Sequence, residues 1–235
     1  MARRPDLASR SLARWRLDRE VAERFWKDER ARPMAWDVVT ISREIGSGGT
    51  TVAKLVAQQL GFRLWDREIL ETMAERLKAE LRHVEGWDEQ VPSAIEGIMR
   101  GALQRTPVTA TYRRILKEIL TEIANRGRAV IVGRGGACLL PQSFRVRVVA
   151  PLEVRVARVA ELEKLTERQA RRLVVQTDAK RQRFGRINFR QDLDSPLLYD
   201  LVINTERMSL EFAAALVVNA VMQRKTVLEN EAQQG

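Results

Sequence analysis

The chain has little of what most enzyme chemistries require. Its 235 residues include one cysteine, Cys138, and one histidine, His83. A lone cysteine excludes an internal disulfide and any Cys-cluster metal site. A lone histidine excludes multi-histidine zinc centres. His83 also lies in the polar stretch "AELRHVEGWDEQ", where a solvated surface role is expected and a Ser–His–Asp hydrolase is not. No apolar run reaches 18 residues, so no membrane span is expected. The N-terminal "MARRPDLASRSLARW" lacks the apolar segment of a secretory signal, and Asp6, Asp18 and Glu20 argue against a transit peptide. Cytoplasmic residence is therefore the default expectation. Internal repeats and low-complexity tracts are absent as well.

Positive charge is abundant instead. The formal net charge is +10, and seven lysines among 41 basic residues leave 34 arginines. Such a balance fits an anionic partner: a nucleotide, a nucleic acid or a membrane surface. Arginine's planar fork suits phosphate oxygens, although a basic, arginine-rich proteome would leave the same overall excess. The positions of the arginines are more telling than their number.

At this length one sizeable α/β domain is expected. Residues 7–31 read as a highly charged helix ended by Pro33, so residues 1–36 form an N-terminal arm that packs on the main domain or on another subunit. Acidic residues interleaved along this arm make nucleic-acid binding the lesser reading. Beyond it, strand-like and helix-like segments alternate. Strands are expected at 37–41, 62–66, 129–133, 144–150 and 200–205. Helices are expected over "TVAKLVAQQLG", closed by Gly61, and at 152–162, 166–184 and 209–223. A longer helical region at 67–126 is interrupted near Gly86, Pro92 and Pro107. Thr166 and Gln169 have capping-box spacing. This pattern predicts a five-stranded parallel sheet covered on both faces, with ligands at the carboxyl ends of the strands.

The first of those ends carries "SREIGSGGTT". Gly46, Gly48 and Gly49 let backbone N–H groups wrap an anion, and the helix starting near Thr50 adds its positive end. Against the Walker pattern, Gly48 and Thr50 match, Arg43 stands at the first glycine and Gly49 at the lysine. A tight turn without ligand would also use these glycines. The second strand ends on Asp66 and Arg67, a rim carboxylate and cation, although Asp66 could equally cap the next helix. The third ends in "GRGG", placing Arg134 near any phosphate. Residues 165–190 hold eight basic side chains against Glu167 and Asp178. They are either a solvated basic face or a lid that closes arginines over a transferring phosphate.

Together, "ISREIGSGGTTVAKLVAQQLGFRLWDREIL", "VIVGRGGACLL", "FRVRVVAPLEVRVARV", "TDAKRQRF" and "YDLVINTERMSLEFAA" resemble the cytidylate kinase-like family over residues 37–224. The resemblance implies a three-layer P-loop nucleoside-kinase-like core with a helical lid at about 165–190 and a C-terminal tail at 225–235. It implies ATP with Mg2+ as donor and a nucleoside monophosphate, such as CMP, as acceptor. Carried over, Gly46, Ser47, Gly48, Gly49, Thr50 and Thr51 would hold the donor phosphates, and Thr50 or Thr51 would touch the metal. Asp66, Arg67 and Arg134 would face the acceptor, and Asp178, Lys180 and Arg181 would form the lid motif. Arg43, Arg134 and Arg181 are the candidate catalytic cations. Cytidylate kinases proper keep a lysine at Gly49 and an aspartate at Gly135; the "GSGG" form resembles the divergent branch. Candidates for the replacement charge are Arg43, Arg134 and Lys54, in that order. The alternatives are a nucleotide-binding regulator without catalysis and a nucleic-acid-binding protein. A homodimer is left open.

Overall fold

The strands form where β-branched residues run together, because such side chains pack well on a pleated, two-sided surface. The computed structural model describes residues 37–81 and 107–234. The N-terminal arm, His83 and the interruptions near Gly86 and Pro92 lie outside those residues. Strand β1 (Val38–Arg43) is followed by helix α1 (Gly49–Leu60), β2 (Arg63–Trp65) and α2 (Arg67–Leu81). Helix α3 (Pro107–Arg126) leads into β3 (Ala129–Val132), a short α4 (Gly136–Leu139) and β4 (Phe144–Val149). Helices α5 (Leu152–Glu163) and α6 (Glu167–Phe189), a 3-10 turn (Pro196–Leu198), β5 (Leu201–Asn204) and α7 (Leu210–Gln234) complete the order.

The five strands form one sheet in the order β2-β3-β1-β4-β5, with every pair parallel. Strand β1 is central: Ile41 is level with Val132 on one side and Val146 on the other. Both faces are covered, so its residues alternate between two cores and not between core and water. Val39, Ile41, Val130 and Val132 pack with Val52 and Val56 of α1 and Ala213 and Val217 of α7. Val38, Ala129 and Ile131 pack with Ile69 and Met73 of α2 and Tyr112, Ile115 and Leu116 of α3. Full burial of each large apolar side chain is worth roughly 1.5–3 kcal/mol. The result is the expected three-layer α/β arrangement.

Three expectations shift. Strand β1 runs two residues further than 37–41, so Arg43 is its last residue and not a loop residue. Helix α6 runs to Phe189, five residues beyond its expected end, because nothing in "GRINF" breaks it until Arg190 adopts a left-handed conformation. Helix α7 continues through the residues read as a tail and ends at Gln234. The capping box at Thr166 forms as its spacing predicts, the threonine hydroxyl accepting from the Gln169 N–H. Helices α5 and α6 share a small core of their own, built on Val156, Val159, Ala170 and Val174.

Candidate functional site

Parallel strands deliver all their carboxyl ends to one edge of the sheet, and the glycine-rich turn sits there, between β1 and α1. Gly46 and Gly48 adopt φ of 79° and 80°, a region closed to most side chains. Helix α1 therefore starts from a left-handed Gly48 with no side-chain cap and no acidic residue in its first turn. Its first N–H groups have no intrahelical acceptor, which leaves them with the positive helix end for an anion. The loop is anchored from below: buried Thr205, after β5, donates its hydroxyl to the Ser47 carbonyl at 2.7 Å. Arg158 of α5 holds Thr205 in turn, at 3.0 Å to the hydroxyl and 2.8 Å to the carbonyl. Thr50 is half-buried in the first turn of α1 and Thr51 is exposed.

Arg43 lies across this turn. A Cβ added to Gly49 would fall 2.4 Å from Arg43 Cβ, and one added to Gly133, after β3, would fall 2.1 Å from Arg43 Nη1. The arginine thus occupies the space that a side chain at the Walker lysine position would need. Its guanidinium is 3.8 Å from Asp66, and its buried Nε has no partner. Burial, reinforced by repulsion from Arg181 and Arg134 and opposed by Asp66, lowers its pKa to about 10. A desolvated guanidinium crowded by two others is a poor arrangement for folding alone.

Helix α6 is fastened to the same edge. Asp178 accepts the Ile45 N–H at 3.2 Å and pairs with Arg155 of α5. Arg181, three residues on, donates to the Arg43 carbonyl at 2.8 Å. Positions three and four apart share a helix face, so the pair reaches inward together. Arg155 is buried and also meets Glu44 at 3.3 Å and the Ala150 carbonyl at 2.8 Å. Arg147, buried in the middle of β4, lies 3.9 Å from Glu44 and pairs with Asp194.

These groups surround a cavity of about 460 Å³. Its lining includes six cations, Arg43, Arg134, Arg147, Arg155, Lys180 and Arg181, against three carboxylates, Glu44, Asp178 and Asp194. An excess of cations in a partly enclosed site favours an anionic occupant. Arg134 holds a φ of 53° and a buried Nε without partner, a strained conformation of the sort that clusters at functional sites. Tyr112 and Cys138 line the apolar part. Burial pushes each of them up to about 12, so neither ionises near neutral pH. Among the described residues no group of three His, Cys, Asp or Glu gathers to hold a metal.

Arg43, Arg134, Asp178, Lys180 and Arg181 are thus brought to one cavity, while Asp66 reaches it through Arg43. Arg67 is exposed and not among the lining residues, and Lys54 is exposed on α1, also away from the lining. Glu44, Arg147, Arg155 and Gln182 were not anticipated. A signal existed for Arg147, a charge inside the otherwise apolar strand "FRVRVV", since buried charges are kept only where they are paired. No comparable signal marked Arg155, one of two arginines on a helix of mixed polar and apolar residues. At the aspartate position of the resembled family, Gly135 has φ 69° and a Cβ there would lie 2.2 Å from the Phe189 ring. The end of α6 fills that place.

With this geometry in view, comparison with known proteins is specific. The family model described as "Cytidylate kinase-like family" matches residues 38–207. The cytidylate kinase of Methanocaldococcus jannaschii is 27% identical over 190 residues, covering 78% of this chain and 97% of that protein. That of Archaeoglobus fulgidus is 27% identical over 199 residues, covering 82% and 99%. A solved structure of an uncharacterized protein from Eubacterium ventriosum superposes with a TM-score of 0.58 at 20% identity, over 78% of this chain and 97% of that one; this likeness concerns the fold. Because the matched span includes the whole sheet, the glycine turn and helix α6, the chain belongs to the cytidylate kinase-like family.

Proposed function

We propose that this protein transfers the γ-phosphoryl group of ATP to a nucleoside monophosphate, with CMP the first candidate. The observation that carries the proposal is the cation-lined cavity, linked to the uncapped N-terminus of α1 through Arg43, which lines the one and lies against Gly49 of the other. Relatives named cytidylate kinase support the acceptor class.

In this reading the donor phosphates lie on the backbone of Gly46–Thr51, where left-handed glycines and the end of α1 present N–H groups. Mg2+ would be held at the start of α1 through the hydroxyl of Thr50, half-buried in the first turn, or of Thr51 beside it. The ion would supply neutralisation of the phosphate charge. The acceptor's phosphate oxygen is ionised near neutral pH and needs no general base. It attacks the γ-phosphorus in line as the bond to the bridging oxygen breaks. Arg43, with its unpartnered Nε between the loop and the cavity, supplies the positive charge that the loop lysine would give. Arg134 faces the acceptor phosphate from the turn after β3, and Arg181 stabilises the equatorial oxygens from α6, which also excludes water. A coupled assay with ATP over CMP, dCMP, UMP and AMP tests the proposal; ATP binding without turnover of any acceptor refutes it.

One observation favours a second reading, a nucleotide-binding regulator. Every carboxylate lining the cavity is already paired with an arginine: Glu44 and Asp178 with Arg155, Asp194 with Arg147. Tight nucleotide binding with no turnover would select it.

A further inference from the structure

We propose that Gln182 selects the phosphoryl acceptor, its side-chain amide reading the hydrogen-bonding edge of a pyrimidine base. The inference rests on the kinase reading above for the identity of the ligand. Gln182 lines the cavity, and both its Nε2 and its Oε1 are buried without a partner. An amide with both ends unsatisfied is costly, and is retained most simply where a ligand supplies the missing partners.

Its direction follows from its place in α6. Gln182 is four residues after Asp178 and one after Arg181, which fasten the helix to Ile45 and to the end of β1. The i and i+4 positions share a face, so Gln182 is held toward the cavity by contacts independent of it. Close by, Phe184 meets Tyr112 edge to face, with ring centroids 6.0 Å apart, and both rings line the same cavity. The cavity therefore offers an aromatic wall, an unsatisfied amide and a cationic rim in one space. That is the chemistry of a mononucleotide: a flat base with paired donor and acceptor, joined to a phosphate. Its volume is in the range of small-ligand sites. For cytosine, Oε1 accepts from the 4-amino group and Nε2 donates to N3. No neighbour in the protein fixes which way the amide is turned, so the reversed pattern of uracil is accommodated by rotation. The site discriminates against a ligand with no base more than between these two.

The test uses the full chain, Gln182→Met, close in shape but apolar, and Gln182→Glu, which loses the donor. Binding of CMP and of ribose 5-phosphate, which has no base, is measured by calorimetry, beside turnover with ATP. Gln182→Met should weaken CMP binding roughly ten- to a hundredfold and leave ribose 5-phosphate unchanged. The KM for CMP should rise in parallel while the KM for ATP stays near wild type, and Gln182→Glu should follow the same pattern. Equal loss for both ligands would indicate a structural role only and overturn the proposal, as would unchanged CMP binding or failure of the wild type to bind CMP. The predicted binding pattern without turnover would remove the kinase reading but keep Gln182. Turnover indifferent to Gln182→Met would do the reverse.

Discussion

Arg43 and Gly49 exclude each other's alternatives: a Cβ on Gly49 would approach Arg43 Cβ to 2.4 Å. The clash is with the root of the arginine side chain and not its flexible end, so it cannot be relieved by a rotamer change at the tip. Restoring the Walker lysine alone is therefore predicted to do harm. Gly49→Lys should destabilise the protein by about 1–3 kcal/mol, the usual cost of overpacking, without raising activity. Gly49→Lys combined with Arg43→Gly should recover stability relative to the single variant. Thermal unfolding of the three proteins checks this.

The second departure is constrained in the same way. Gly135 has φ 69°, and the Phe189 ring stands 2.2 Å from where its Cβ would be. Gly135→Asp is expected to cost about 1–3 kcal/mol from the backbone conformation alone, with the clash added. Phe189→Ala on that background should relieve the clash but not the backbone strain. Because Phe189 is itself a buried core residue, chemical denaturation of these two variants and of Phe189→Ala alone, as a double-mutant cycle, separates the two terms.

Asp178 acts through other groups. It accepts from the Ile45 N–H and pairs with Arg155, so Asp178→Ala leaves a buried guanidinium short of a partner and the glycine turn untied. A stability loss of about 1–3 kcal/mol is expected, with the KM for ATP raised more than kcat is lowered. Asp178→Asn, which keeps an acceptor for Ile45, should retain more donor affinity than Asp178→Ala. Steady-state kinetics against ATP decide the ordering.

The charge on Arg43 carries a pH signature. Burial first, then Arg181 and Arg134, lower its pKa to about 10 from the ordinary 12.5. The unfolded chain binds this proton more tightly than the folded one, so the charge opposes folding. The penalty is complete below about 10 and fades as pH rises from there toward 12.5, the reverse of a stabilising ion pair. Without ligand, Arg43→Met should be more stable than wild type by up to about 3 kcal/mol at neutral pH. That advantage should shrink above pH 10. Added phosphate should raise the melting temperature of wild type and have less effect on the variant. Denaturation at several pH values measures both.

Much of this was legible because the residues concerned obey local rules. The β-branched runs within 37–41, 129–133 and 144–150 announced strands, and their spacing by helical segments announced a parallel sheet. The turn at Gly46–Gly49 and the basic stretch around Arg181 pointed to one edge. What was hidden depended on contacts between distant segments. That Arg43 fills the space over Gly49 and Gly133 follows from β1 running on to residue 43 beside β3 and α1. That Phe189 covers Gly135 follows from α6 continuing past 184. Arg155 could not be told from a solvated surface arginine until Glu44 and Asp178 were found against it. Helix α7 outran its expected end because its apolar face fades gradually and no breaker stops it.

The central claim is that the positive charge of the loop lysine has passed to Arg43, at the end of the strand that leads into the loop. Its most direct test is kcat/KM for phosphoryl transfer from ATP to CMP in wild type, Arg43→Ala, Arg134→Ala and Lys54→Ala. Loss of a preorganised charge at the transferring group typically costs about a hundredfold or more, and that is the fall expected for Arg43→Ala and Arg134→Ala. Lys54, exposed on α1 and outside the cavity lining, should be replaceable with little effect. If Lys54→Ala proves the most damaging of the three, the account of the missing lysine is wrong.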